Sequence, residues 1–171
     1  LEDTIVQGPF FYNANPWSKC PREICTHNSH YDIVDLSSLP VDYVPRTNFT
    51  PALTIHEREN FIPRLSWDHT RLHTDNYRLA VRKRVPVNSE RSLVSAIIPP
   101  KVIHIDQVQS LHFKCRLDLC KAAALFFSLP YDFLTKIAGR SDFMERDAAS
   151  FPWVNPGSLE LERVLRLTCV T

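Results

Sequence analysis

NYRLAVRKRVPVNSERSLVSAIIPP, residues 76 to 100, decides the architecture. In its first part, Asn76 to Val85, the residues Tyr77, Leu79 and Val81 alternate with Arg78, Ala80 and Arg82, the two-residue period of a β-strand. Its last part, Arg91 to Pro99, is an apolar run with β-branched residues, cut off at the double proline Pro99-Pro100. The connection P-V-N-S-E between them is short. Together they predict an antiparallel hairpin with Asn88, Ser89 and Glu90 at its tip.

Working outward, KVIHI and VQSLHFK add one or two further strands around Ile103 and Leu111. Toward the N-terminus, TIVQGPFFY (Thr4 to Tyr12) suits a strand that runs into the loop chemistry of N-A-N-P-W-S-K-C-P. YDIVDL (Tyr31 to Leu36) suits a half-buried strand. From Ser37 to Pro63, the prolines Pro40, Pro45, Pro51 and Pro63 recur too closely for a long helix, so extended chain with one short helical turn near Ile55 to Asn60 is predicted.

Toward the C-terminus the character changes. Arg116 to Leu129 carries leucine, alanine and phenylalanine at helical spacing, Pro130 opens a second helix in PYDFLTKIAG, and Gly139 ends it. SLELERVLRLTCV predicts a third helix, with Ser158 as N-cap, acids early and arginines late. The fold class is therefore α+β, a β-rich N-terminal two-thirds with antiparallel strands followed by two or three packed C-terminal helices, in a single domain over residues 1–171.

The length of 171 residues with 44% hydrophobic side chains supports one domain with a core of its own. Only 3 glycines stand against 13 prolines, which disfavours the Gly-rich loops that cradle nucleotide phosphates or S-adenosylmethionine. Five cysteines, an odd count, read as reduced thiols, and no apolar run reaches the length of a membrane span. These features predict a soluble, cytoplasmic protein without a membrane partner. A start at Leu1 and a helix-like apolar end predict excision from a larger protein.

Catalytic and metal chemistry find little support. Cys20, Cys25, His27 and His30 lie close together, but at a spacing unlike the recurrent zinc knuckles, and His112, Cys115 and Cys120 fare no better. The histidines are scattered, G-x-S-x-G and H-E-x-x-H are missing, and His73 to Asp75 reads as a turn before a strand. No catalytic set is predicted, and no metal or cofactor is assigned to this chain.

The basic segment points elsewhere. The net charge of +1 hides 9 Lys/Arg against 4 Asp/Glu in residues 58–101, compared with 3 against 7 before them and 8 against 8 after them. Clustered charge of this kind attracts phosphate. Arg78, Arg82 and Arg84 share one side of the alternation, Lys83 lies between them, and Asn88, Ser89 and Arg91 occupy the tip and the return strand. Arginine bridges phosphate oxygens or pairs with guanine, Asn and Ser reach other base edges, and a two-stranded ribbon fits a major groove. These residues are the first candidates for DNA contact, with Arg71, His73, Lys101, Arg140 and Ser141 as a second group. The plainer reading is a solvated strand face whose arginines pair with nearby acids.

Several segments, in order, resemble a known family: PRTNFTP (Pro45 to Pro51), PRLSW (Pro63 to Trp67), TDNYRLAVRKRV (Thr74 to Val85), NSERSLVSAIIPP (Asn88 to Pro100), LFFSLPYDFLTKIAGRSDF (Leu125 to Phe143) and the final RVLRLTCVT. Together, from about Pro9 onward, they resemble the target-recognition region of type IIG-like restriction-modification proteins and related phage-defence adenine methyltransferases. The resemblance implies sequence-dependent binding of duplex DNA. It also implies that catalysis and S-adenosylmethionine belong to a methyltransferase module of the same polypeptide. The family's Y-R-x-x-x-R pattern falls on Tyr77, Arg78 and Arg82, and its E-R-T-L-I pattern on Glu90, Arg91, Ser92, Leu93 and Val94. The chain departs from the family at Ser92, where threonine is usual, and at Lys101, where glycine often follows the double proline. The alternative function is a protein-interaction or scaffold domain that docks partner subunits without touching DNA. For Arg91 a structural role, pairing with a carboxylate beneath the tip, stands beside the DNA-contact role.

Overall fold

A computed structural model of the chain describes residues 3–12, 14–40, 42–86 and 88–168. The architecture is α+β. In chain order the strands are β1 (Ile5–Val6), β2 (Lys19–Pro21), β3 (Tyr31–Ile33), β4 (Arg64–Leu65), β5 (Asp68–Leu72), β6 (Arg78–Arg82), β7 (Ser95–Ile98), β8 (Ile103–His104) and β9 (Val108–Leu111). The helices are α1 (Ile55–Glu59), α2 (Arg116–Phe127), α3 (Leu129–Ile137), α4 (Glu145–Ser150) and α5 (Ser158–Thr168). The C-terminal part of SLELERVLRLTCV beyond residue 168 and Asn13 of the NANPW loop lie outside the described residues.

The hairpin read from residues 76–100 forms the centre of the molecule. β6 pairs antiparallel with β7, setting Arg78 against Ile98 and Val81 against Ser95, and antiparallel with β9 on its other edge, Leu79 against Leu111. The middle of a three-stranded sheet is a different environment from a free ribbon, because both faces are covered. Leu79 and Val81 point toward the helices, where Leu119, Ala122, Ala123 and Phe126 of α2 meet Leu93, Leu111, Tyr131 and Phe143. Ala80 points the other way, into a second core of Val6, Phe10, Phe11, Tyr31, Val94, Ala96, Ile98, Val102 and Val108. Hydrophobic burial on this scale, about 25 cal/mol per Å² of apolar surface, fixes the register, since a one-residue slip would drive Leu79 and Val81 out of the helical layer.

The N-terminal segment closes the second core. Its strand character ends at Val6, because Pro9 lacks an N–H and its fixed φ suits the 3-10 turn Gly8–Phe10 instead. β1 pairs in parallel with β8, Ile5 against Ile103 and Val6 against His104. The proline-rich stretch holds the single short helix α1 where the sequence predicts one. Thr54 caps it: its hydroxyl accepts the Glu57 N–H at 3.4 Å while the Glu57 carboxylate accepts the Thr54 N–H at 2.9 Å.

At the C-terminal end, Gly139 stops the chain after α3 in the left-handed conformation, φ 62°, as its place in the sequence predicts. A short polar helix, α4, joins the predicted helices. Its sequence ERDAAS has no apolar stripe to betray it, and it is held by the Asp147 carboxylate accepting the Met144 N–H at 2.8 Å. Among the described residues no helix is long and apolar enough to cross a membrane.

Candidate nucleic-acid interface

The strand face proposed to carry Arg78 and Arg82 is turned inward, which corrects the reading of the period. Alternation places the two arginines on one side, but that side meets the N-terminal segment instead of solvent. Arg78 is 2% exposed, and one of its guanidinium N–H groups donates to the Val102 carbonyl. Burial lowers its pKa to about 10. Arg82 is half-buried, with its stem near Gly8, and burial lowers its pKa as well.

Most of the other predicted cations are tied to carboxylates. Lys83 meets Asp106 at 2.8 Å, Arg84 meets Asp142 at 3.5 Å, Lys101 meets Asp75 at 2.9 Å, and Arg140 meets Asp147 at 3.0 Å. Arg91 takes the structural role. Its terminal N–H donates to the Phe127 carbonyl at 2.6 Å, its Nε lies 3.6 Å from Asp132, and its guanidinium stands 5.7 Å from the centre of the Phe127 ring. Asn88 and Ser89 are exposed at the tip, and the Ser89 N–H donates to the Pro86 carbonyl at 3.0 Å. Ser141 is exposed and uses its carbonyl to accept the Val85 N–H at 2.9 Å. The twelve candidates are thus dispersed between the core, the tip and α4, and do not converge on one groove.

A free-standing ribbon does exist, one hairpin earlier. β4 and β5 pair only with each other, antiparallel, through a bulge between Arg64 and Leu65. Ser66 and Trp67 form the turn, and Arg64, His69, Thr70 and Arg71 are exposed on the strands. Asp68 starts β5 as a local clamp, its carboxylate accepting the Thr70 hydroxyl at 2.6 Å and the Thr70 N–H at 3.1 Å. Arg64 donates to the carbonyls of His69 and Thr70, both at 3.3 Å, and Arg71 donates to the Asn76 side-chain carbonyl. Neither arginine has a carboxylate within ion-pair distance among the described residues. Asp68 and Asp75 feel the charge of Arg71 at longer range, but neither arginine is held in a close ion pair as Lys83 and Arg84 are.

The ribbon forms one wall of a cleft of about 710 Å³. α1 and the following Phe61 to Pro63 form a second wall, while β8, β9 and the start of β6 supply the floor. Arg58, Arg64 and Arg78 line it, with Glu145 the only carboxylate among its described lining residues. Arg58 also meets Asp3 at 2.9 Å. Three histidines face the cleft. His73 and His112 lie ring on ring, centroids 4.0 Å apart, and His104 sits on the floor.

These histidines are neutral at ordinary pH. Burial is the main cause for all of them, and Arg78 adds to it; the His112 pKa is pushed down to about 3. His104 bonds to the Ile105 carbonyl through Nδ1 at 3.1 Å, which only a protonated nitrogen can do, so its Nε2 accepts the Ser110 hydroxyl at 2.6 Å. The Nε of Arg78 and the Nδ1 of His112 are buried without a hydrogen-bond partner among the described residues. The cleft therefore combines arginines, Arg64 at the rim and Arg78 on the floor, with neutral, hydrogen-bonding histidines.

Of the predicted residues, the structure brings His73 and Arg78 to this cleft and Arg71 to its ribbon. Sequence reasoning passes over Arg58, Phe61, Arg64, Trp67, His104 and His112. A signal for the ribbon was present, since R-L-S-W-D-H-T-R-L is two short strand-like pieces about a polar turn inside the basic segment. Comparison with protein-family models, with curated proteins and with solved structures finds no match. The resemblance stated above thus rests on the sequence motifs alone.

Proposed function

We propose that the chain is a duplex-DNA recognition domain of a restriction-modification or phage-defence adenine methyltransferase. Catalysis and S-adenosylmethionine belong, in this reading, to another module of the same polypeptide. The observation that carries it is the β4–β5 ribbon: narrow, antiparallel, with neither edge paired to another strand among the described residues, and carrying Arg64 and Arg71 outside any close ion pair there. Such a ribbon is of a size for a major groove, and its arginines suit phosphate or guanine. The contact surface is then centred on residues 64–72, with the exposed tip Asn88 and Ser89 subordinate to it.

Titration of the protein against random-sequence duplex at increasing salt tests this reading. Affinity that falls steeply with salt, and falls less steeply in an Arg64→Gln/Arg71→Gln variant, supports it. No binding at low ionic strength overturns it.

One observation favours the scaffold reading. Leu129, Phe133 and Ile137 succeed one another at four-residue intervals along α3 and are 72%, 61% and 62% exposed. An apolar stripe of this kind is what a docking helix presents to a partner. It is compatible with DNA reading by the ribbon, because the two surfaces are built from different elements.

A further inference from the structure

The cleft beside the ribbon has a chemistry that duplex reading leaves unused. A double helix is far too wide to enter a space of about 710 Å³, yet that volume lies within the range of roughly 300–1,000 Å³ in which proteins hold small ligands. Its walls sort into three kinds. Arg64 places positive charge at the rim beside Arg58, which Asp3 already pairs, Phe61 and Trp67 offer aromatic surface, and the floor is uncharged apart from Arg78, with Glu145 the one carboxylate among the described lining residues.

The floor is what narrows the ligand class. Arg78 is 2% exposed, and its Nε is left without a partner although a terminal nitrogen is satisfied by Val102. The Nδ1 of His112 is similarly unsatisfied. Leaving such groups unpaired in the interior is costly, and a ligand with polar ring atoms recovers that cost. A second phosphate would not do so well there, since the histidines beside Arg78 are held neutral. Phe61, 77% exposed, is a large apolar ring at the mouth with little of the protein against it. Bases stack on exposed aromatic rings in single-strand binding sites, which gives such a ring a use.

We infer that this cleft binds a single nucleotide, its phosphate at Arg64, its heterocycle against Phe61 and Trp67, and the polar edge of that heterocycle toward Arg78 and His112. The ligand chemistry is the same whether the nucleotide is free or is an unpaired residue of a strand. The inference stands on the cleft alone and does not require the ribbon to read duplex.

Calorimetric titration of the protein with guanosine 5′-monophosphate tests it, since guanine presents the adjacent acceptors O6 and N7 to a guanidinium. Guanosine and inorganic phosphate are the controls, and a short single-stranded oligonucleotide is the second arm. The expected result is binding at least about tenfold tighter for the nucleotide than for either control, weakened about tenfold by Arg64→Gln and by Phe61→Ala. Both side chains are exposed, so both variants keep the fold. Binding of the single strand alone, with the same sensitivity to the two variants, assigns the site to a nucleotide within a strand. The inference is overturned if neither ligand binds, if the variants leave binding unchanged, or if phosphate binds as tightly as the nucleotide. A protein that takes the nucleotide but ignores duplex overturns the ribbon reading and leaves this one intact, and the converse result does the opposite.

Discussion

The carboxylate of Asp132 accepts the backbone N–H of Ser92 at 2.7 Å across the boundary between helix and hairpin, and the same oxygen accepts the N–H of Leu93 at 2.8 Å. Asp132 is 4% exposed, and Arg91 and Lys136 supply the compensating charge at 3.6 and 3.5 Å. The E-R-S-L-V segment is therefore anchored from below by α3, and its arginine belongs to that anchor. Removing the carboxylate with Asp132→Ala strands Arg91 and two buried donors, so a loss of about 3–5 kcal/mol is expected in denaturant unfolding. Asp132→Asn keeps the oxygen that accepts both backbone N–H groups but loses the charge that faces Arg91 and Lys136, and is expected to lose about half as much.

On the proposed DNA surface, ion pairing decides which cations matter. Arg64→Gln/Arg71→Gln is expected to weaken binding to every duplex and to lower the slope of log affinity against log salt by about 2. Arg84→Gln/Arg140→Gln removes cations already paired with Asp142 and Asp147 and is expected to move the slope by less than half of that. Fluorescence anisotropy over a salt series compares them directly.

The cleft histidines make stability depend on mild acid. His112 has its pKa pushed down to about 3 from 6.5, so below 6.5 the unfolded chain takes up a proton that the folded chain refuses. The stabilisation is complete above 6.5 and is lost as the pH falls toward 3, with His73 and His104 shifted in the same direction. For His112 the unfolding free energy is expected to drop by roughly 1 kcal/mol between pH 6.5 and about 5, less than the full linkage slope because the ring keeps some solvent contact, and His73 and His104 add to the drop in the same direction. His112→Gln is expected to flatten this part of the profile. Denaturant titrations at closely spaced pH values check it.

Lys101 sits at φ 69°, in the left-handed region where glycine is at ease and a side chain is strained. It ends the turn at the double proline, the place where the resembled family often has glycine. Lys101→Gly relieves that strain while losing the Asp75 pair, an exposed contact worth about 1 kcal/mol at most. Lys101→Ala loses the pair and keeps the strain, and Lys101→Val adds β-branching. Melting temperatures are expected to rank glycine above alanine above valine.

Much of the fold was legible because its signals are local. The period of Asn76 to Val85, the double proline, the helical spacing after Arg116 and the stop at Gly139 each depend on near neighbours, and each appears where the residues put it. The site was less legible for a physical reason. Alternation tells which side chains share a face but not whether that face meets water, and β6 is covered on both sides. Arginine suits phosphate, which makes Arg78 and Arg91 candidates for DNA contact in the sequence, yet an interior carbonyl and a buried carboxylate satisfy the same guanidinium geometry. The pairs Lys83–Asp106 and Arg84–Asp142 join segments far apart in sequence, so no local pattern announces them.

The parallel pairing of Ile5–Val6 with Ile103–His104 has a consequence for how the chain comes together. A ribosome emits β1 long before its partner exists, and the apolar Val6, Phe10 and Phe11 must wait until Ile103 and His104 are made for the surface that shelters them. Closure over so long a span lowers the folding rate, and the exposed interval is the time at which a chaperone has most to hold.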